Sequence, residues 1–350
     1  MRKGRTLLDP PVVPGPPVCL ERLAVHPLVY RGHTAERARA PLHESSALST
    51  LREMHAPSPL SAGARVALVA PAGPLRSPNE LDLAIEQARS LGWEPIIGPN
   101  ALESERYLAG DDSQRLRDLN KALAADAIDG IWYLRGGYGA MRILEGLDTD
   151  AMRRHPKVTI GYSDVTALHA AFGNAANVVT YHGPTARSKL TTFSRDSLVR
   201  ATITREESCG HAPRARVLRP GRAQGRLVGG NLALLAALAG TRFAPDYTNG
   251  ILIIEDVGEA VYRIDRMLRQ LALSGALSNL AGIVYGQFTE TENGKIMSGR
   301  SFDAALQEAA DIAKVPAIAG APFGHITDQW TIPLGATAEL DADALTLNVI

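Results

Sequence analysis

A serine stands between a predicted strand and a predicted helix in the segment Val158–Leu168, VTIGYSDVTAL. Val158–Ile160 is typical of a short buried strand, and Ser163 and Asp164 come where a helix begins. A serine on such a tight turn is exposed beside the free N–H groups of the helix start, which suits a nucleophile whose attack generates an oxyanion. The alternative is a helix N-cap, because serine and aspartate are both favoured there.

Two histidines are candidates for the base that such a serine needs. His325 follows Gly324 in a loop, where a flexible backbone without helical register suits a general base. His182 lies at the end of a predicted strand near Ser163, either as a second candidate base or as a structural hydrogen-bonding residue. His169, on the helix after Ser163, is more typical of a packed helix residue.

One carboxylate, Glu255, ends an apolar strand predicted over Gly250–Ile254. A charge at such a place is costly unless it is paired, and orienting a histidine is a fitting role for it. The alternative is a turn residue at the strand end that pairs with Arg263 or Arg266.

A glycine pair follows the strand predicted over Ile128–Leu134, in the run Arg135–Gly139, RGGYG. The run lacks both the G-x-G-x-x-G order and the Walker lysine, so a dinucleotide or nucleotide site is weakly supported. Backbone N–H groups of a glycine pair after a strand can instead bind an oxyanion.

Strands and helices alternate through the first part of the chain, which predicts an α/β fold with an open parallel sheet and right-handed crossovers. Ligands bind outside the carboxyl ends of such strands, where both RGGYG and GYSD lie. In the second part we expect a small-residue helix over Gly229–Gly240 and a closing hairpin around Asp341–Asp343. Nine of the 22 prolines fall within the first 60 residues, which favours disorder there. The predicted organisation is a disordered extension (1–62), an α/β nucleophile domain (63–185), a connection (186–222) and a C-terminal domain (223–350).

The composition excludes several classes of protein. The 350 residues carry zero formal net charge, so neither nucleic acid nor a membrane surface is an expected partner. The two cysteines, Cys19 and Cys209, lie far apart, which argues against a disulfide framework, a cysteine zinc site and a thiol nucleophile. The spacings typical of zinc and calcium sites do not occur in the sequence, and we predict neither a metal nor a cofactor.

Eight segments in order resemble the LD-carboxypeptidases of peptidoglycan recycling, a family of serine peptidases. They are ALVAPAG (67–73), YLAGDDSQRLRDLNKAL (107–123), RGGYGAMRILEGLD (135–148), IGYSDVTALHAAF (160–172), YHGP (181–184), GRLVGGNLALLAALAGT (225–241), ILIIEDVGEAVYRIDRML (251–268) and GAPFGHITDQWTIPLGATAELD (320–341). The resemblance implies an N-terminal open parallel-sheet domain like that of class I glutamine amidotransferases, followed by a smaller β-rich C-terminal domain carrying the glutamate and histidine.

The same resemblance implies the roles of individual residues. Ser163 becomes the nucleophile, His325 the base and Glu255 its orienting carboxylate, in a cleft between the domains. The oxyanion donors map to the backbone N–H groups of Asp164 and of the glycine pair, Gly137 or Gly136. Apart from the resemblance, four further residues are candidates for binding substrate, namely Arg135, Tyr138, Arg142 and His182; the two arginines are chosen because arginine pairs well with carboxylates.

The activity implied is hydrolysis of the amide between an L-centre diamino acid and the terminal D-alanine of murein tetrapeptides. The family also implies a cytoplasmic homodimer that needs no cofactor. One alternative is a microcin-C-type immunity peptidase, which cleaves aminoacyl or peptidyl sulfamoyl-nucleotides and needs an aromatic side chain to stack on the base. The stretch 189–217 offers only Phe193 for that purpose, which favours the muropeptide. An alternative of another class is a non-catalytic peptide-binding protein that uses the same cleft.

Overall fold

The computed structural model describes residues 54–291 and 301–350. Most of the predicted extension over 1–62, including Cys19, lies outside the described residues. The described end of that range is already part of the fold, because His55 forms a β-bridge with Val178 and Leu60 is buried in the core. The packed chain therefore begins earlier than the predicted boundary at residue 62.

The described residues form fourteen strands and nine α-helices. The strands are β1 (Arg65–Val69), β2 (Glu94–Ile97), β3 (Gly130–Tyr133), β4 (Val158–Gly161), β5 (Thr180–His182), β6 (Gly210–His211), β7 (Arg216–Arg219), β8 (Arg222–Asn231), β9 (Gly250–Val257), β10 (Gly282–Thr289), β11 (Ala317–Ala319), β12 (Ile332–Leu334), β13 (Thr337–Asp341) and β14 (Thr346–Val349). The α-helices are α1 (Pro78–Ser90), α2 (Asp112–Ala124), α3 (Ala140–Ile143), α4 (Thr149–Arg154), α5 (Thr166–Ala171), α6 (Thr192–Val199), α7 (Leu232–Leu238), α8 (Val261–Leu273) and α9 (Phe302–Ala313). Short 3-10 helices occupy Leu144–Gly146 and Ser163–Val165, and π-helical turns occupy Phe172–Ala176 and Arg200–Thr204. None of the helices described is long and apolar enough to cross a membrane.

The first sheet has six strands in the order β12-β5-β4-β3-β1-β2. The five strands from the first part of the chain run parallel, and β12 adds an antiparallel edge from near the C-terminus. Helices on both faces bury the central strands, as a parallel sheet requires, and β3 and β4 are buried throughout. Because β3 and β4 are neighbours, the loops that follow them meet at the carboxyl edge of the sheet.

The second sheet has eight strands in the order β6-β14-β13-β8-β9-β10-β11-β7. Its central strands β8 to β11 are parallel, with α7, α8 and α9 between them in sequence, and the flanking strands are antiparallel. The expected β-rich second part is therefore present, although its sheet has more strands than the first.

The segment predicted as a helix over Gly229–Gly240 is divided between two elements. Its first three residues, Gly229–Asn231, complete strand β8, and the helix itself is Leu232–Leu238. Asn231 ends the strand and caps the helix, because its side chain accepts a hydrogen bond from the N–H of Leu234 at 3.3 Å. The leucines predict the helix itself, but the two glycines before Asn231 have no side chain that could show where the strand ends and the helix begins. The predicted helix therefore started three residues too early.

The two sheets meet at the helix that follows Ser163. Thr166 Oγ1 accepts a hydrogen bond from the backbone N–H of Asn231 at 2.9 Å. A Cβ on Gly230 would lie only 2.5 Å from that same hydroxyl oxygen, so only glycine allows the approach. Asn231 is paired with Glu255 across β8 and β9. This contact therefore brings the carboxyl end of β9 to the turn that carries Ser163.

Candidate active site

Ser163 is held in a left-handed backbone conformation directly after β4. Its φ is +67°, and it is the first residue of the 3-10 helix Ser163–Val165. A left-handed non-glycine residue costs about 1–2 kcal/mol, so the surrounding packing must stabilise the turn. The N-cap position belongs to Tyr162 and has no side-chain cap bond. The capping alternative for Ser163 is therefore not observed, and its side chain is partly exposed.

The glycine pair lies against Ser163 because glycine alone leaves room. A Cβ on Gly136 would stand 2.8 Å from Ser163 Cβ and 3.0 Å from Ser163 Oγ. The carbonyl of Gly136 accepts a hydrogen bond from Gly73 N–H at 2.8 Å. Gly137 has a φ of +99°, and a Cβ there would lie 3.1 Å from Gly73 Cα. The loops after β1 and β3 thus pack backbone against backbone beside the serine, as a site for an oxyanion requires.

Asp164 ties the serine turn to the glycine loop. Its buried carboxylate accepts a hydrogen bond from Ala140 N–H at 2.7 Å. Burial raises the pKa of Asp164 from its ordinary 3.8 to about 6, even though backbone hydrogen bonds from Ala140 and Gly139 act in the opposite direction. The Asp164 side chain therefore positions the loop, and its backbone N–H lies in the first turn of the helix, where N–H groups lack intrahelical partners.

The raised pKa of Asp164 predicts a pH-dependent stability. Between about pH 4 and 6 the folded state holds a proton that the unfolded chain has released, so the free energy of unfolding falls as pH rises through that window. The shift to a pKa of about 6 corresponds to about 3 kcal/mol. We expect Asp164→Asn, which keeps an acceptor oxygen, to become more stable relative to wild type by about that amount between pH 4 and 7.

Urea unfolding of both proteins at a series of pH values measures this difference. Asp150→Asn is the control, because its side chain is 68% exposed and it lies outside the turn. A stability difference between wild type and Asp164→Asn that stays constant across the window would show that the carboxyl is not shifted.

His325, in the loop after β11, forms a hydrogen-bonded pair with Glu255 on β9. His325 Nδ1 lies 2.7 Å from Glu255 Oε2, and the glutamate side chain is completely buried while the histidine side chain is 20% exposed. A carboxylate at Nδ1 fixes the imidazole orientation and leaves Nε2 to act on a reacting group. The alternative, in which Glu255 pairs with Arg263 or Arg266, is not observed. Arg263 forms an ion pair with Glu259, and Arg266 lies over the Tyr262 ring.

Gly324 allows this pair to form. Its φ is +111°, and a Cβ there would stand 2.9 Å from Glu255 Cβ and 3.0 Å from Glu255 Oε2. We expect Gly324→Ala to displace His325 and to lower kcat on the order of 10²-fold or more, because small misplacements in a catalytic site are that costly. The measurement is kcat of the variant together with its circular dichroism.

Gly258→Ala is the matched control for this substitution. Gly258 also has a positive φ, +75°, but nothing lies within 4 Å of the added Cβ. Both variants therefore carry backbone strain and only one carries the clash. Equal losses of kcat in the two variants would mean that strain alone, and not the contact with Glu255, causes the effect.

Tyr162 links the histidine to the serine turn. The ring centroids of Tyr162 and His325 are 4.8 Å apart, and Tyr162 directly precedes Ser163. Burial raises the pKa of the Tyr162 phenol, and the charge of Glu255 raises it further. The His325–Glu255 pair of the second sheet therefore lies next to the turn that follows β4, in contact with the residue that directly precedes Ser163.

His182 lies behind this group, with no exposed surface. It packs edge-to-face against Tyr162 and Phe323, and within the described residues neither of its ring nitrogens has a hydrogen-bond partner. Burial lowers the pKa of His182 well below its ordinary value, which keeps the ring neutral. In this conformation His182 supports Tyr162 and offers no surface to a substrate.

The other candidate substrate residues differ in how available they are. Tyr138 is 49% exposed in the glycine loop and makes an edge-to-face contact with Tyr107, whose ring centroid is 5.6 Å away. Arg142 is held by the carboxylate of Asp112 through Nε at 2.9 Å and Nη2 at 2.7 Å. Arg135 is half-buried and donates from Nη1 to the Pro74 carbonyl. Arg142 is thus already paired with a carboxylate, whereas Arg135 is bound to a neutral carbonyl.

One positioning residue, Arg115, was not predicted. It is 1% exposed, and its Nη1 donates to the carbonyls of Pro71 and Gly139, one from each glycine-bearing loop. The signal for it was present, because Arg115 shares a helical face with Leu119 and Ala122, both buried. A cationic side chain on the buried face of a helix predicts that it is paired with carbonyls or carboxylates in the interior.

Comparisons with known proteins identify the family of this chain. The LD-carboxypeptidase N-terminal domain model matches residues 66–183, and the LD-carboxypeptidase C-terminal domain model matches residues 224–340. The murein tetrapeptide carboxypeptidase of Pseudomonas aeruginosa is 33% identical, with 80% of this chain and 94% of that protein covered.

Two solved structures share the fold. The muramoyltetrapeptide carboxypeptidase from Oxalobacter formigenes superposes with a TM-score of 0.74 at 31% identity, over 82% of this chain and 98% of that chain. An MccF-like protein from Bacillus anthracis superposes with a TM-score of 0.77 at 25% identity, over 85% of this chain and 99% of that chain; MccF itself is a microcin C7 self-immunity protein. With both domain models matched in order over most of the described residues, the chain belongs to the LD-carboxypeptidase family.

Proposed function

We propose that the protein is a serine LD-carboxypeptidase that releases the terminal D-alanine of murein tetrapeptides. The observation that carries the proposal is the 2.7 Å hydrogen bond between His325 Nδ1 and buried Glu255, with the His325 ring against Tyr162 beside Ser163. A nucleophile, a base and an orienting carboxylate in that arrangement perform acyl transfer.

In the first half of the reaction His325 Nε2 takes the Ser163 proton while Oγ attacks the carbonyl of the amide before D-alanine. The oxyanion that forms is bound by the backbone N–H of Asp164 and an N–H of the glycine pair, Gly137 or Gly136. Buried Glu255 stabilises the imidazolium, which then protonates the leaving amine of D-alanine. The C–N bond breaks and an ester on Ser163 remains.

In the second half water replaces the amine. His325 removes a proton from the water as it attacks the ester, and the same oxyanion donors stabilise the second tetrahedral intermediate. Collapse of the intermediate returns the proton to Ser163 and releases the tripeptide. The proposed steps use only Ser163, His325, Glu255, backbone N–H groups and water, so this mechanism calls for neither a metal nor a cofactor.

The substrate class follows from the names of the relatives at 31–33% identity, which are murein tetrapeptide and muramoyltetrapeptide carboxypeptidases. The MccF-like neighbour supports the immunity peptidase as a second candidate. That activity calls for an aromatic platform, and between residues 189 and 217 only Phe193 on α6, 42% exposed, is available. The muropeptide is therefore the favoured substrate.

The experiment that tests the proposal offers both substrates to the purified protein. Murein tetrapeptide and an aminoacyl sulfamoyl-adenosine are incubated separately, and D-alanine and the free amino acid are quantified. Release of D-alanine supports the carboxypeptidase. Cleavage of the nucleotide conjugate alone would identify the protein as a microcin-C-type immunity peptidase. Saturable binding of the tetrapeptide without turnover would identify a peptide-binding protein.

The family resemblance extends the proposal to the place and assembly of the enzyme. Recycling of murein peptides favours the cytoplasm, and the family favours a homodimer. Cell fractionation and sedimentation of the purified protein test these two points independently of catalysis.

A further inference from the structure

Arg135 lies beside the glycine loops that flank the proposed nucleophile, since a Cβ on Gly73 would stand 3.6 Å from Arg135 Nε. Arg135 precedes the glycine pair, and its pKa is lowered first by burial and then by the charges of Arg187 and Arg76. The nearby anion that acts in the opposite direction is Glu80. Arg135 is therefore acted on by two other guanidinium groups and one carboxylate, an excess of positive charge that an anion from outside would balance.

Arg187 lies in the loop after β5, at the carboxyl edge of the first sheet. Ala186 N–H donates to the carbonyl of Tyr133 at 2.9 Å, which places residue 187 at the carboxyl end of β3 and β5. The charge of Arg187 also acts on the Tyr162 phenol, lowering its pKa against the effect of burial. Tyr162 directly precedes Ser163, so the phenol on which this charge acts belongs to the residue next to the proposed nucleophile.

Glu80 orients the Arg187 guanidinium through one of its N–H groups and leaves others unpaired with Glu80. Glu80 Oε1 accepts from Arg187 Nη1 at 2.8 Å, and Glu80 Oε2 accepts from the backbone N–H of Arg76 at 2.8 Å. Both oxygens of Glu80 are therefore in use, which fixes the carboxylate. The Arg187 side chain remains 26% exposed, so part of its guanidinium can meet a ligand, while its Nε is buried without a hydrogen-bond partner among the described residues.

A carboxypeptidase must recognise a free carboxylate one residue beyond the bond it breaks. That distance is short, because one residue spans at most about 3.6 Å of chain. We propose that Arg187, held by Glu80, binds the terminal carboxylate of the leaving D-residue, with Arg135 as the second cation. The inference rests on the proposed carboxypeptidase activity and assigns the group that makes it specific for a chain end.

The test compares two tetrapeptides that differ only in a C-terminal carboxylate or carboxamide, with appearance of the common tripeptide as the readout. We expect Arg187→Gln to lower kcat/KM on the free acid about 10- to 100-fold, the range of a lost charge-assisted hydrogen bond, mainly through KM. Its kcat/KM on the amide is expected to stay at the wild-type value. Arg187→Lys is expected to recover part of the preference for the acid, because it keeps the charge and loses the planar fork.

Arg222→Gln is the matched control, because Arg222 forms a similar pair with Asp341 at 2.8 Å at the far end of the ten-residue strand β8. It should leave the preference for acid over amide unchanged. Equal losses on both substrates in Arg187→Gln, or an unchanged acid preference, would overturn the assignment of Arg187. Failure of wild type to form tripeptide from either substrate would instead refute the proposed function.

Discussion

Replacing Ser163 by alanine is expected to abolish D-alanine release from the tetrapeptide, with kcat falling on the order of 10⁴- to 10⁶-fold. The reason is that acyl transfer begins with attack by Oγ, which lies against the glycine loop, 3.0 Å from where a Cβ on Gly136 would stand. The residual rate would come from the oxyanion donors and from binding alone. The measurement is D-alanine formation under saturating tetrapeptide.

The fold of this variant should survive, because Ser163 makes no cap bond that the helix start depends on. Alanine at a φ of +67° keeps the strain that serine already bears. Thermal unfolding and binding of tetrapeptide provide the control, and both are expected to match the wild type closely. Ser194→Ala would not serve as a control variant, because the Ser194 hydroxyl donates to the Thr327 carbonyl and accepts from the Gln329 N–H, and its loss would remove both hydrogen bonds. Retention of more than a few per cent of activity by Ser163→Ala would place the nucleophile elsewhere.

Replacing Glu255 by glutamine is expected to lower kcat on the order of 10⁴-fold while leaving the site assembled. A glutamine fills the same space, but its neutral amide cannot stabilise the imidazolium, and it can hold His325 in the wrong tautomer. Because the glutamate is completely buried, its charge acts without screening by water. The measurement is kcat on the tetrapeptide, read beside KM, which we expect to change little.

Glu339→Gln is the matched control for Glu255→Gln. Glu339 is an exposed strand residue of the same sheet, on β13, so it tests the loss of one carboxylate without the contact to histidine. We expect wild-type kcat from it. A loss in Glu255→Gln of less than about tenfold would contradict the role of the carboxylate in orienting the base.

Several elements of the fold followed directly from local sequence. The strands predicted over Val158–Ile160 and Gly250–Ile254 occur as Val158–Gly161 and Gly250–Val257, and β13 and β14 form the closing hairpin predicted around Asp341–Asp343. These segments succeed because periodicity, burial and termination agree within one stretch of chain. The antiparallel addition of Ile332–Leu334 to the first sheet was not predicted, since pairing between residues so distant in sequence leaves no local signal.

In the candidate site, too, features with a local sequence signal could be predicted and features that depend on distant residues could not. Ser163 could be singled out because a serine between a strand and a helix is typical of either a nucleophile or an N-cap, and the glycine run follows the neighbouring strand. The roles of Glu255 and His325 depended on resemblance, since the sequence alone left arginine partners open for the glutamate. Arg187 was not predicted, because its relation to Glu80 and Tyr162 exists only once the loop after β5 lies beside helix α1 and the turn after β4.

The most direct test of the central claim is a double-mutant cycle on Ser163 and Glu255, measured as D-alanine release from the tetrapeptide. The two residues come from different sheets and are proposed to act as one unit through His325. We therefore expect Ser163→Ala/Glu255→Gln to be no slower than Ser163→Ala alone, because residues of one catalytic unit are strongly non-additive. A double variant whose loss equals the product of the two single losses would contradict the proposal that these residues form a single catalytic group.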